Sequence, residues 1–224
     1  MLVISNLFKR LAQSTIWQDK IHEKYGITCY SKEPGDVLDP IILRQTCNIL
    51  SLMPTKLVKD CGINRLYFSS TMGPNLSYFP NHGYFIDNSV TLNVNIFYHP
   101  DIMDDFFDYR GYFVDRPTQT VLHEFAHGYD ASHGNISQKS EWTKLSGWSP
   151  IPKPGLKQLV INQKGRPPII GEWYFDPKAG FTRFYGKRNP YDDFADCFSF
   201  YIAGLSKLPE NKKNYFDNLI KKYK

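Results

Sequence analysis

The 224-residue sequence lacks several features that would place it in a specialised structural class. Its four cysteines include no C-x-x-C pair, so neither a disulfide framework nor a cysteine zinc knot is indicated. No stretch approaches the ~20 apolar residues of a membrane span, and the N-terminus becomes polar too early for a signal peptide. We therefore expect no membrane association, and a protein that is cytoplasmic or carried within an assembly.

The chain also carries little excess of positive over negative charge. The net charge is +5, and the lysines near the C-terminus are typical of a solvated helix face. No concentrated basic stripe or known recognition module is present, so we expect no nucleic-acid partner. Hydrophobic residues make up 42% of the chain, which is enough for a folded core.

The first half of the chain changes from helical to strand-like patterns. Apolar spacing predicts a first helix to about residue 24, and Asp39-Pro40 opens a second helix that Pro54 closes. Strands are predicted at 65–69, 83–87 and 90–97, the last two as a hairpin around Asn88-Ser89. In residues 90–97, apolar and polar side chains alternate strictly, which predicts one buried face and one face exposed to solvent.

These patterns predict a single α+β domain over residues 1–224. A helical N-terminal part, 1–60, precedes a small, mostly antiparallel sheet and a helix in 61–130. The remainder, 131–224, is expected to form a mainly helical C-terminal lobe. Its Pro-, Gly- and Trp-rich beginning indicates a long ordered loop with a short helix near 139–146, and helices follow Pro190 and Pro209.

The helix that Pro117 opens contains the segment TVLHEFAHGYD. Residues four apart share a helix face, so His123 and His127 can present two imidazoles to one ion. Glu124 lies about 100° round the helix, where it can reach a water on that ion without binding the ion itself. The pattern H-E-x-x-H therefore predicts a Zn²⁺ site in which Glu124 is the catalytic base for a metal-bound water.

A third protein ligand is needed, and one candidate is His133. Its spacing from His127 is that of the metzincins, H-E-x-x-H-x-x-G-x-x-H. Two features oppose it: Asp130 stands where that pattern needs glycine, and the last methionine, Met103, precedes the motif, so no methionine turn follows.

The second candidate lies in N-P-Y-D-D-F-A-D, residues 189–196. Asp192 and Asp196 share a helix face, so one could bind the ion while the other orients a ligand histidine. Asp193 also belongs to this acidic first turn, which suits the helix dipole. A carboxylate at Asp196, among apolar neighbours, needs a partner.

These motifs resemble those of a known family. H-E-F-A-H-G-Y-D, then Tyr185-Gly186 and N-P-Y-D-D-F-A-D, looks like the gluzincin-type zincin metallopeptidases around anthrax lethal factor and the clostridial Pro-Pro endopeptidases. The resemblance implies a zincin-like fold, with Asp192 as the third zinc ligand and Asp196 as a partner behind the ligands that orients a ligand histidine. It also implies that Tyr185 donates a hydrogen bond to the oxyanion of the reaction. This chain has Asp where the family has Glu, so the helix must approach the ion more closely.

Further expectations concern the surroundings of this site. Asp130 is assigned with Asp196 to the shell that orients the ligands. The strand at 90–97 is expected to be the edge to which an extended peptide or protein substrate pairs, with Asn93 and Asn95 facing the cleft.

The leading hypothesis is a zinc-dependent endopeptidase. The alternative is a catalytically silent zincin-like module that serves a structural or binding role in a larger protein assembly.

Overall fold

The computed structural model describes residues 2–33, 35–70, 82–98, 114–163, 166–204 and 208–223. Within them the helices are α1 (Leu2–Tyr25), α2 (Pro40–Leu50), α3 (Thr55–Asp60), α4 (Asn95–Tyr98), α5 (Arg116–Ser132), α6 (Ser140–Leu145), α7 (Pro190–Ile202) and α8 (Glu210–Lys221). The strands are β1 (Thr28–Ser31), β2 (Arg65–Ser69), β3 (Gly83–Ile86), β4 (Ser89–Asn93), β5 (Trp148–Ser149), β6 (Lys157–Gln163) and β7 (Arg166–Phe175). Short 3₁₀ turns lie at Ile136–Gln138 and Tyr185–Lys187.

The first two helices follow the sequence pattern closely. α1 ends at Tyr25, as predicted, and the Asp39 side chain accepts a hydrogen bond from the Ile41 amide at the start of α2. Pro40 occupies the first turn of α2, where its missing N–H costs no helical hydrogen bond. Helix starts that depend on local chemistry of this kind are readable from sequence.

A four-stranded sheet with strand order β1-β2-β4-β3 lies beside α5. β1 pairs in parallel with β2, and β2 with β4, whereas β3 pairs antiparallel with β4. The prediction of a mostly antiparallel sheet is therefore wrong for this sheet. The N-terminal part is also not helical only, because it contributes β1. Helices α2 and α3 form the crossover that a parallel β1–β2 pair requires.

The predicted hairpin is confirmed, with its turn one residue earlier than expected. Asp87 and Asn88 adopt φ values of 46° and 61°, which these two residue types tolerate better than most. The strand that follows is shorter than the predicted 90–97, since β4 ends at Asn93 and α4 begins at Asn95. The Asn93 side chain accepts a hydrogen bond from the Asn95 amide at 2.9 Å, and this local turn ends the strand.

In β4, the face that the alternation predicted to be exposed to solvent is largely covered, and Asn93 at the strand end is half-buried. Thr91 is 2% exposed, as buried in practice as its neighbours Val90 and Leu92. The reason is position: β4 lies between β2 and β3, and α4 and α5 pack nearby. An inner strand of a covered sheet is dry on both faces.

The C-terminal part contains a second sheet that the sequence pattern did not predict. β5, β7 and β6 form an antiparallel sheet in that order, within the segment interpreted as a loop. Trp148, Leu159 and Phe175 form its small core. The short helix predicted near 139–146 is confirmed as α6. The C-terminal lobe therefore contains a sheet in addition to the predicted helices.

Helices α5 and α7 pack against each other in the main core. Every residue of α7 from Asp192 to Phe200 is buried, and Phe194 and Phe198 are fully covered. Two buried helices in contact hold their facing side chains in fixed positions. Within the described ranges, no helix combines the length and apolar character that crossing a membrane requires.

Candidate metal centre

The two motif histidines lie one turn apart on α5 and face the same way. His123 is 5% exposed and His127 is half-buried. Their Nε2 atoms are 3.1 Å apart. Two ring nitrogens at this separation must share a hydrogen or a common cation, because two lone pairs at this distance repel each other.

The start of α7 brings Asp192 to this pair. The Asn189 side chain caps the helix: its Oδ1 accepts from the Asp192 amide at 2.8 Å, and its Nδ2 donates to Asp192 Oδ2 at 2.9 Å. The other carboxylate oxygen, Oδ1, then faces the imidazoles. It lies 3.7 Å from His123 Nε2 and 3.5 Å from His127 Nε2.

These three atoms have the separations of ligands to one small ion. A triangle with sides of 3.1, 3.5 and 3.7 Å has a centre about 2.0 Å from each corner, close to ordinary Zn–N and Zn–O lengths. Among the described residues, His123, His127 and Asp192 form a group that could hold a metal ion. The donor set, two imidazoles and one carboxylate, fits Zn²⁺.

The charges of the pocket favour a cation at the same place. Burial raises the pKa of Asp192, but contacts with both histidines lower it by a larger amount. The pKa of Asp192 therefore lies well below its usual range. Burial lowers the pKa of His123, but hydrogen bonds to Asp192 and Asp196 raise it to about 9. A divalent cation at the point between the three donor atoms would interact favourably with the ionised Asp192 and with the two imidazole nitrogens.

Asp196 lies behind His123, on the side away from the proposed ion. Its Oδ1 is 2.9 Å from His123 Nδ1, and its carboxylate also accepts from Arg183 Nε at 2.7 Å. Burial raises the pKa of Asp196, but the Arg183 charge and the bond to His123 lower it overall. An ionised Asp196 keeps the hydrogen on Nδ1, which leaves the Nε2 lone pair for a metal.

The two alternative third ligands point elsewhere. Asp193 faces α8, where its Oδ1 lies 2.6 Å from Lys212 Nζ. His133 caps the end of α5, with Nδ1 2.8 Å from the Tyr129 carbonyl oxygen and its ring stacked on Tyr129. The metzincin interpretation is therefore wrong, since His133 lies outside the group of candidate ligands.

Asp130, which the sequence assigned to the shell that orients the ligands, makes its hydrogen bonds to the turn after α5. Its two carboxylate oxygens accept from the Ser137 amide and hydroxyl, each at 2.7 Å. These bonds tie the end of α5 to the following 3₁₀ turn. Asp130 also lines the cleft, but its hydrogen bonds stabilise the turn rather than a ligand histidine.

A cleft of about 390 Å³ opens beside His123 and His127. Glu124, which follows the first histidine, lines it and is 6% exposed. Burial raises the pKa of this carboxyl, and the nearby imidazoles oppose the rise only in part. A carboxylate held in this way has a high affinity for a proton, which is what a general base needs. The described residues that line the cleft are Gly83, Tyr84, Phe85, His123, Glu124, His127, Asp130, Ala131, Asn135, Tyr185 and Tyr191.

The wall opposite α5 is β3, not the strand that the sequence favoured. Gly83 packs so closely on α5 that an added Cβ would lie 3.0 Å from Glu124 Cγ and 3.1 Å from Thr120 Cγ2. Asn93 ends β4 and Asn95 is exposed on α4, and neither belongs to the cleft lining. Their role in substrate binding stays a prediction; of the two strands, β3 lies at the end of the described strand order, whereas β4 is an inner strand.

Tyr185 lies in the 3₁₀ turn before α7, with its ring centroid 5.7 Å from that of His123. Its hydroxyl accepts a hydrogen bond from Arg188 Nη1. Burial raises the pKa of the phenol, and the charge of Asp192 raises it further, so Tyr185 keeps its proton at neutral pH. A neutral phenol beside the candidate ligands is a hydrogen-bond donor.

Sequence reasoning missed four residues that shape this site: Arg183, Arg188, Asn189 and Gly83. Asn189 had a readable signal, since Asn is a favoured N-cap residue and Pro190 after it is typical of the first helical position. The two arginines and the glycine had none, because single residues in loops or short strands show no periodicity.

Together, the fold and the geometry define an α+β protein with a His-His-Asp candidate metal centre beside a glutamate-lined cleft. No protein-family model matches the chain. No curated protein matches it either. One matching solved structure is that of a "putative zinc-binding metallo-peptidase" from Bacteroides caccae ATCC 43185, with 14% identity, a TM-score of 0.43, and coverage of 95% of this chain and 78% of that chain. A similarity at this level leaves the function to be argued from the site.

Proposed function

We propose that the chain is a zinc-dependent endopeptidase with His123, His127 and Asp192 as its zinc ligands. The observation that carries the proposal is the meeting of the three donor atoms around one point, at separations of 3.1 to 3.7 Å. The sequence resemblance to gluzincin-type peptidases, which rests on the motif residues alone, agrees with it.

A zinc ion with three protein ligands keeps an open coordination position, where it acidifies a water and polarises a carbonyl oxygen. Two side chains of the cleft have matching roles. Glu124 takes the proton of the attacking water and passes it to the leaving amine. Tyr185, a neutral phenol, donates a hydrogen bond to the oxygen that becomes negative during attack.

The same cleft suggests how a peptide is held. β3 ends the described strand order, and its residues Gly83 to Phe85 form one wall of the cleft. An extended peptide that pairs with β3 by main-chain hydrogen bonds lies along the candidate centre. The aromatic rings of Tyr84, Phe85 and Tyr191 then offer apolar contact to its side chains.

The first test is the metal content of protein purified without added metal. We expect about one zinc per chain, as in three-ligand catalytic sites, and a largely metal-free Asp192→Ala variant. Asp19→Ala removes an exposed carboxylate of α1 and is the matched control. Cleavage of a peptide library should stop on chelation and return with added zinc. Equal zinc in Asp192→Ala and the native chain would rule out this ligand set.

A second prediction concerns the contact between β3 and Glu124. Gly83→Ala places a Cβ against Glu124 and Thr120, so one of them must move by a few tenths of an ångström. We expect kcat/KM for the best-cleaved peptide to fall about tenfold, because small misplacements of a catalytic group are costly, with zinc content unchanged. Ile86→Ala, at an exposed position of the same strand, should have little effect. An unaltered rate in Gly83→Ala would show that the close packing is not needed.

A further inference from the structure

The turn between Tyr185 and α7 contains an arginine that no part of the zinc mechanism above uses. We propose that Arg188 is a positioning residue: it fixes Tyr185 as a hydrogen-bond donor toward the substrate oxygen at the candidate centre. This inference rests on the proposed function, since the oxygen that Tyr185 serves belongs to the peptide being cleaved.

The geometry of the turn joins the two residues at several points. The Arg188 amide donates to the Tyr185 carbonyl oxygen at 3.1 Å, which closes the 3₁₀ turn. Arg188 Nη1 donates to the Tyr185 hydroxyl oxygen at 2.5 Å, and the guanidinium carbon lies 4.8 Å from the ring centroid. The turn thus fixes the backbone of Tyr185, and the bond from Arg188 holds the hydroxyl end of its ring.

The chemistry of the two groups decides the direction of the bond. A guanidinium has five N–H donors and no acceptor, so the phenol oxygen must accept. The single hydrogen of Tyr185 is then directed away from Arg188. Tyr185 lines the cleft beside His123, and a substrate carbonyl bound in this cleft would accept that hydrogen.

The charge of Arg188 acts in the same sense. Its guanidinium polarises the phenol through the bond to its oxygen, and a polarised O–H is a stronger donor. Arg188 Nη1 also lies 3.7 Å from Asp192 Oδ2, the oxygen turned away from the histidines. The Arg188 side chain is 35% exposed, so water weakens this ion pair. The Tyr185 phenol that it contacts is half-buried.

Two other roles for Arg188 make different predictions. If it served chiefly to hold Asp192, its removal would lower zinc affinity. If it bound the substrate directly, its removal would be harmful whether or not Tyr185 has a hydroxyl. Positioning through Tyr185 predicts an effect on turnover that vanishes when that hydroxyl is absent.

The experiment is a double-mutant cycle on the zinc-loaded protein with the best-cleaved library peptide. Tyr185→Phe should lower kcat about 100-fold, as loss of an oxyanion donor does, and Arg188→Met about tenfold, both with little change in KM. In the Tyr185→Phe background, Arg188→Met should change kcat less than about twofold. Arg188→Lys, which keeps a cationic donor, should recover most of the loss.

Lys187→Met is the matched control. It removes a positive charge from the same turn, but Lys187 Nζ lies over the rings of Phe181 and Phe184 instead of the Tyr185 hydroxyl. We expect its kcat to equal that of the native chain. An equal loss from Arg188→Met in both backgrounds, a loss of zinc in that variant, or unchanged kcat would each overturn the proposal.

A second readout does not need activity. In protein labelled with ¹³C at the phenol carbon of tyrosine, Tyr185→Phe identifies the Tyr185 signal. Arg188→Met should shift that signal in the metal-free protein, and Lys187→Met should not. If the native chain cleaves no peptide, the proposed function fails while this shift still reports on the contact. Absence of the shift overturns the positioning role in either case.

Discussion

Glu124→Gln should retain zinc and lose nearly all peptide hydrolysis. Glutamine has almost the same size and shape as glutamate, but its amide cannot take a proton from water. Because general-base catalysis contributes ~10²- to 10⁴-fold, we expect kcat/KM to fall by about 10³-fold. The buried position of Glu124 within the cleft leaves little room for solvent to replace it. Library cleavage and zinc content, measured on the same preparations, check this result.

The matched control is Glu141→Gln, the same change at an exposed position of α6. It should leave both zinc content and cleavage unaltered. If the native chain and Glu124→Gln both hold zinc and are equally inert, the chain is a silent zincin-like module rather than a peptidase. If Glu124→Gln cleaves at the native rate, Glu124 is not the base.

Among the variants proposed for this protein, Lys212→Met should lose the most stability. Lys212 and Asp193 are both fully buried and form an ion pair of 2.6 Å between α8 and α7. Burial lowers the pKa of Lys212, but the charges around it, including Asp193, raise it overall, so the lysine remains protonated. Its removal leaves an unpaired carboxylate in the core, and we expect the free energy of unfolding to fall by about 3–5 kcal/mol.

Denaturant unfolding measures this loss, with Lys221→Met as the control at an exposed position of the same helix. Adding Asp193→Asn to Lys212→Met should restore most of the stability. The amide has no charge to bury, and its oxygen can still accept from Trp148 Nε1, which now donates to Asp193 at 3.1 Å. A Lys212→Met variant as stable as the native chain would show that the pair contributes nothing. Since Asp193 adjoins Asp192, we also expect weaker zinc binding in Lys212→Met.

Much of the helical architecture was predictable because its signals are local. α1, α2, α5 and α7 begin or end at residues whose capping chemistry or periodicity is visible in the sequence. The sheets were less predictable. The parallel pairing of β1 with β2 depends on how α2 and α3 return the chain, and the sheet of β5, β6 and β7 lies in a Pro-rich segment with no strand pattern.

The candidate site shows the same division. The sequence by itself determined that His123 and His127 share a helix face with Glu124 beside them, since helical spacing alone fixes that relation. Only the tertiary structure decided which acid joins them. Successive residues of α7 point in different directions, and its packing against α5 and α8 turns Asp192 to the histidine pair, Asp193 to Lys212, and Asp196 to the far side of His123. A helix pattern gives the angle between side chains, but the orientation of the whole helix is set by its neighbours in the core.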